Sequence, residues 1–257
     1  MTDLQSSSTL QLLHELKRRY VELDTPPGRY VFVGAPGSGK GTQSCLFSKS
    51  HSLCHLSTGD ILRQTAMQSD DIGLKVKKQM QEGKLVDDDI VLKLLNEKMN
   101  EPSCMRGFIL DGFPRNAHQA EKLHNYLEKS GKKLDGVMYF GAPDELLVKR
   151  IEGRRVHPTS GRVYHTEFNP PKVEGKDDVT GEPLIQRSDD NAVTLFERLK
   201  CYHKETTPLI DYYSNLGLLS HIDASKSVDK VQKEINTVIA KKEQNGHPEP
   251  LVNGNSG

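Results

Sequence analysis

Four cysteines, Cys45, Cys54, Cys104 and Cys201, are scattered over 257 residues without a C-x-x-C pair. Such spacing suggests neither a disulfide framework nor a zinc site, and reduced, mostly buried thiols are expected. Net charge is missing as well, because 35 Lys plus Arg balance 35 Asp plus Glu. That balance argues against a general electrostatic grip on nucleic acid or an anionic membrane, so any anion must be held by local clusters. No apolar run approaches the roughly 20 residues that span a bilayer, and Met1 to Ser8 lacks the basic and apolar regions of a secretory signal. A soluble protein is expected, in the cytoplasm, with the mitochondrial intermembrane space as the alternative.

The length suits one large α/β domain with inserts. Leu12, Leu13, Leu16 and Tyr20 fall at helical spacing before Asp24-Thr25-Pro26-Pro27-Gly28 breaks the pattern, which predicts a short docking helix in an extension over residues 1–29. From Lys241 to Gly257 the chain is polar and rich in Gly, Pro and Asn, with only Leu251 and Val252 as an apolar anchor, and a disordered tail is expected. Between these ends lie short apolar runs at Tyr30 to Val33, Phe108 to Leu110, Val137 to Phe140 and Leu218 to Ile222, with a weaker one at Cys54-His55-Leu56. Their lack of alternation suits strands covered on both faces. Helical patterns separate them, such as Ile90 to Met99 and the series Val228, Val231, Ile235 and Val238 after Ser227 as a cap. This order implies a parallel sheet with helices on both sides.

Two stretches break the rhythm. Residues 154–190 carry Gly161, Gly175, Gly181, Pro158, Pro170, Pro171 and Pro183 and few large apolar side chains. They read as a small insertion of short strands and turns, and a mobile cover over a site explains so long a segment better than surface decoration. Gly153 and Gly161 are candidate hinges. Residues 57–86 read as a helical insert flanked by Thr58-Gly59-Asp60 and Gly83-Lys84-Leu85-Val86.

The first apolar run leads directly into Gly34-Ala35-Pro36-Gly37-Ser38-Gly39-Lys40-Gly41-Thr42. Between a strand and a helix, G-x-x-x-x-G-K lets backbone N–H groups and the helix dipole hold a polyphosphate, with Lys40 a point charge at the β/γ phosphates. Gly41 stands where Ser or Thr usually follows the lysine, and the hydroxyl comes one place later at Thr42, which weakens the expectation that it binds metal directly. Asp111 ends the run Phe108 to Leu110 at the carboxyl edge of the sheet, placed to hold Mg²⁺ through water. Bringing two polyanions together requires converging positive charge. The candidates are Arg63, Arg115, Arg150, Arg154, Arg155, Arg187 and Arg198.

Gly34 through Gln43, Thr58-Gly59-Asp60-Ile61-Leu62-Arg63, Asp111-Gly112-Phe113-Pro114-Arg115 and Gly153-Arg154-Arg155-Val156-His157 resemble the signature runs of adenylate kinases. Gly161 to Gly181, with Phe168-Asn169-Pro170-Pro171-Lys172, is similar to the lid of the long variant. The likeness runs from about Tyr30 to Ala240. It implies a P-loop NTPase-type α/β fold over residues 30–240, with an AMP-binding insert at 57–86 and a small β-rich lid at 154–190. It further implies reversible phosphoryl transfer, ATP + AMP = 2 ADP, with Mg²⁺ accompanying the triphosphate; because such an architecture can close its site within one chain, a monomer is the default expectation.

Matched residue by residue, the resemblance assigns AMP to Thr58, Arg63, Lys84, Leu85, Val86, Gly112, Phe113, Pro114, Arg115 and Gln119. Gln119 also has a logic of its own, since a primary amide can pair in a bidentate way with an adenine edge. ATP falls to Gly37, Ser38, Gly39, Lys40, Gly41, Thr42, Arg150, Arg154, Val163, Tyr164 and the backbone near Lys226, while Arg187 and Arg198 bridge the phosphates. Lys40, Asp111, Arg115, Arg154, Arg187 and Arg198 form the catalytic set. Some long-lid relatives bind zinc through four cysteines. Here the matching places are His157, Ser160, Asp177 and Thr180, and because hydroxyls are poor zinc ligands a polar staple is expected instead. Two alternatives stay open: GTP as the donor, and a nucleotide-regulated binding protein that has lost catalysis.

Overall fold

The computed structural model describes residues 8–10, 12, 13, 16, 28–187 and 189–246. Five parallel strands form the central sheet in the order β2-β3-β1-β4-β7, with β1 (Arg29–Gly34), β2 (Cys54–Ser57), β3 (Phe108–Asp111), β4 (Gly136–Gly141) and β7 (Leu219–Asp223). The apolar runs are continuous because both faces are covered. Val31, Leu110 and Val137 pack with Leu95 of α4 (Asp88–Met99), Leu123 of α5 (Ala117–Lys129) and Leu209 of α8 (Thr207–Asn215). On the opposite face Phe32, Ile109 and Met138 meet Phe47 of α1 (Lys40–His51) and Ile235 of α9 (Val228–Gly246). Each side chain removed from water in this way contributes roughly 1.5–3 kcal/mol, which is what fixes the register.

That register brings Phe32 and Ser57 level with Asp111, and Gly141 level with Asp223, so the phosphate loop, Asp111 and the turn after β7 share one carboxyl edge. The insert after β2 consists of α2 (Thr58–Thr65) and α3 (Asp71–Gln81). Ser57 caps α2 through the Asp60 N–H (3.3 Å), and Asp70 caps α3 through the Gly73 N–H (2.7 Å). After α6 (Asp144–Glu152), the antiparallel pair β5 (Arg154–Val156) and β6 (Val163–His165) begins the second insert, which returns to the main body at α7 (Ala192–Cys201).

Several sequence expectations need correction. Cys54 and Cys104, expected as reduced thiols, are joined in a disulfide. Parallel pairing of β2 with β3 sets Cys54 opposite Phe108, close behind which Cys104 turns, and the two Cα atoms come within 4.8 Å. Cys45 and Cys201 are free but only half-buried. The tail expected to be disordered from Lys241 is helical as far as Gly246, and the Lys242 Nζ donates to the Leu218 carbonyl at 2.6 Å, tying that turn to the foot of β7. Leu251 and Val252 lie outside the described residues. In the extension, Leu10, Leu12, Leu13 and Leu16 are helical, yet Leu10, Leu13 and Leu16 are exposed rather than docked, and Tyr20 lies outside the described residues.

Candidate active site

The loop Gly34 to Gly39 departs from the end of β1, and two of its glycines do work that no other residue can. Gly37 and Gly39 take φ values of +83° and +90°, the left-handed region that side chains resist. Lys40, the first residue of α1, folds back over the loop and donates to the Gly34 carbonyl (2.6 Å) and the Ala35 carbonyl (2.9 Å). Burial pushes its ammonium down to about 8; Asp111 opposes that shift, while Arg115, Arg198 and Arg154 add to it. A cation strained in this way is poised to gain from an arriving polyanion. The departure at Gly41 also has a steric cause, since a Cβ there would stand 3.3 Å from Asp111 Oδ2.

Asp111 closes β3 with its carboxylate recessed. Burial pushes the group up, but His55, whose Nε2 is 3.4 Å away, and Lys40 outweigh it and hold the acid below the usual carboxylate range. An ionised, hard oxygen donor at this place fits a magnesium site. The neighbouring backbone is tightly built. Thr58 Oγ1 donates to the Asp111 carbonyl (2.8 Å), and Gly112 turns at φ +81° against that hydroxyl.

Arg115 is fixed by Nε on the Gly112 carbonyl (2.7 Å) and by its own N–H on Gln119 Oε1 (2.7 Å). Burial and the adjacent Arg198 lower its guanidinium to about 10, and burial with Arg63 and Arg154 does the same to Arg187. Three acids that the sequence reading passed over compensate this concentration of charge. Asp60 pairs with Arg63 (2.5 Å) and reaches Arg187 (3.3 Å), Asp189 pairs with Arg198 (2.8 Å), and Asp190 grips Arg154 through Nε (2.8 Å) and Nη2. Their signal lies in Thr58-Gly59-Asp60 and in the acid pair at the end of the second insert.

Lys40, Asp111, Arg115, Arg154 and Arg198 therefore form one cluster, to which Arg187 and Arg63 are joined through Arg154 and Asp60. Beside it, Thr58, Leu85, Val86, Gly112, Arg115 and Gln119 line a shallow pocket together with Phe113. Gln119 accepts from the Arg115 N–H at its oxygen and donates from Nε2 to Asp88 Oδ1 at 2.6 Å, which fixes the amide and leaves one lone pair and one N–H unused by these two bonds. Pro114 follows a cis peptide bond after Phe113. Lys84 faces outward against Glu82 (2.8 Å).

Other predicted residues lie apart. Arg150 donates to the Ala224 carbonyl (2.8 Å) in the turn after β7 and sits 5.9 Å over the Phe168 ring. Lys226 is exposed and paired with Glu234 (2.7 Å). The Tyr164 side chain is buried in the second insert with its hydroxyl on Asp177 (3.0 Å), and Val163 is half-buried beside it. In the staple, His157 meets Ser160 (2.7 Å) and Thr180 bonds Asp177 (3.0 Å). Arg162 and Glu182 were missed. Arg162 grips Asp177 through Nε (2.7 Å) and Nη2 (2.6 Å), holding that carboxyl well below its ordinary range, and Glu182 meets His157 Nε2 at 2.5 Å. Of the two candidate hinges, Gly161 has φ +71°, whereas Gly153 is glycine for room, since a Cβ there would fall 2.4 Å from the His165 ring.

A phosphate-holding loop at the edge of a parallel sheet, facing arginines from two inserts, defines a nucleotide-dependent phosphotransferase of the P-loop class. The adenylate kinase family model matches residues 32–218. Adenylate kinase 4 of Arabidopsis thaliana is 48% identical over 238 residues, covering 93% of this chain and 97% of the relative. Adenylate kinase 4 of rice (Oryza sativa subsp. japonica) is 49% identical over the same length, covering 93% and 98%. An adenylate kinase of the yeast Vanderwaltozyma polyspora is 48% identical over 214 residues, covering 83% and 96%. The chain belongs to the adenylate kinase family.

Proposed function

We propose that the chain carries out its family's reaction, ATP + AMP = 2 ADP, at the cluster around Asp111. The observation that supports this most is the convergence of Asp111, Arg115, Arg198 and Arg154 on the buried Lys40 ammonium beside the loop. Triphosphate phosphates sit on the loop Gly37 to Thr42 with Lys40 and Arg154, and the AMP phosphate meets Arg63 and Arg115 beside the pocket of Thr58, Val86 and Gln119. An AMP phosphate oxygen attacks the γ-phosphorus in line. One P–O bond forms as the bond from the γ-phosphorus to the bridging oxygen breaks, and ADP leaves on each side. The attacking oxygen is already anionic, so no general base is required, and positioning with charge stabilisation suffices. Arg187 and Arg198 give up Asp60 and Asp189 to the transferring phosphoryl. Asp111 would hold Mg²⁺ through water, and the ion would neutralise and orient the phosphates.

The insert of β5 and β6 acts as the lid that excludes water, closing as Arg154 and Arg187 exchange acids for phosphates; adenylate kinase lids are a standing example of such closure. Every group in the cluster comes from one chain, which favours a monomer. No helix among the described residues is long and apolar enough to cross a membrane. The setting we favour is the cytoplasm, with the mitochondrial intermembrane space, where a Cys54–Cys104 bond could persist, as the alternative.

A coupled assay should detect ADP formed from AMP with MgATP, and a run with MgGTP separates the donor alternative. No turnover with either donor would favour the binding protein. Proton uptake provides a second expectation. Lys40 sits at about 8 without ligand, and a polyphosphate raises it toward or beyond its ordinary 10.5. Between those values binding must take up protons, whereas near pH 6 this group contributes none. Calorimetric titration of ATP at pH 9 in buffers of differing ionisation enthalpy should reveal the uptake, and identical heats across the buffers would contradict it.

A further inference from the structure

The helical rod formed by α7 and α8 is interrupted at Tyr202–Thr206 by a single π-helical stretch. Widening the turn from i→i+4 to i→i+5 adds one residue, which rotates everything downstream by about 100° relative to an unbroken α-helix. Such bulges persist where the altered phase places a side chain that is needed. Here the residue at the end of the bulge is Thr206, only 5% exposed, and its Oγ1 donates to the Arg115 carbonyl at 2.8 Å, across 91 positions of sequence.

This contact completes the clamp on Arg115. Gln119 takes the N–H, Gly112 takes the side-chain Nε, and Thr206 holds the carbonyl, so the backbone is pinned on both sides of the residue. The same rod carries Arg198 two turns upstream, and Arg198 is the strongest charged influence on the Arg115 guanidinium. We propose that Thr206 is a positioning residue that fixes Arg115 relative to Arg198, using the π-bulge to set the spacing of the two guanidinium groups that face the transferring phosphoryl. This deepens the reading of the site given above and rests on it. The neighbours fit that role: Tyr202 is buried with Leu199 and Leu147, so the rod is anchored against α6 and cannot slide to compensate for a lost hydrogen bond.

The test compares Thr206→Val, which keeps the β-branched shape without the donor, with Thr206→Ser, which keeps the donor. Misplacement by about 1 Å can cost about 100-fold. Thr206→Val should lower kcat/KM for AMP by roughly 10- to 100-fold with KM for ATP little changed, and Thr206→Ser should recover most of the loss. In an Arg115→Lys background the valine substitution should add less than about twofold, because both changes act through one group. Full multiplicative loss in that background, unchanged AMP kinetics, or failure of serine to restore them would overturn the assignment. Should the valine variant not fold, Thr206→Ala serves the same comparison. Wild-type protein without ADP formation would instead remove the underlying reading of the site.

Discussion

Lys40→Met is expected to fold and to lose turnover by about 10²–10³-fold or more, the loss typical when a preorganised charge is taken from a developing anion. Methionine matches the length of the lysine stem, so the space under the loop stays filled. What disappears is the donation to the Gly34 and Ala35 carbonyls and, with nucleotide bound, the charge at the β/γ phosphates. Relief of a buried cation and loss of those two hydrogen bonds oppose each other, so stability should move little at neutral pH. A lysine held at about 8 when folded and 10.5 when unfolded makes the unfolded chain the better proton binder between those values, so the wild type gains stability as pH rises through that window. The methionine variant should lack this gain. Single-turnover kinetics beside denaturant titrations at pH 7 and pH 9.5 measure both effects, and near-normal turnover in the folded variant would exclude Lys40 from phosphate chemistry.

Much of the sheet could be read from the chain because its signals are local. Tyr30 to Val33 and Phe108 to Leu110 are short, bounded apolar runs that suit strands covered on both faces, and the glycines after β1 suit a left-handed turn. Groups whose meaning depends on distant partners were harder to read. Asp189 and Asp190 look like ordinary surface acids until the second insert returns and sets them against Arg198 and Arg154. Arg162 is a surface arginine by sequence, and only the turn at Asp177 makes it the principal grip on the polar staple. The thiols failed for the same reason, since Cys54 and Cys104 stand 50 positions apart and meet only because β2 pairs with β3. A π-bulge leaves no composition signal at all, so Thr206 was invisible.

The cation cluster implies a trade between stability and activity that a substitution at Arg187 should expose. Arg187 lies recessed beside Arg63 and Arg154 with its guanidinium lowered to about 10, and its acid partner Asp60 is shared with Arg63 at a shorter distance. Removing it relieves burial of a cation and repulsion from two others, while Asp60 keeps Arg63. Arg187→Ala should therefore melt at or a few degrees above the wild type, a shift of about 2–4 °C for each kcal/mol gained in a chain of this size. Turnover should move the other way, by about 10³-fold or more, because an arginine at a transferring phosphoryl is worth that much. Arg187→Lys should recover little, since a point charge cannot reproduce the planar fork that holds two oxygens at once. Charge without geometry is the comparison that decides. If lysine restores most of the turnover, the site works by net positive potential alone, and the fixed arrangement of guanidinium groups argued for Arg115, Arg187 and Arg198 is not what drives the transfer.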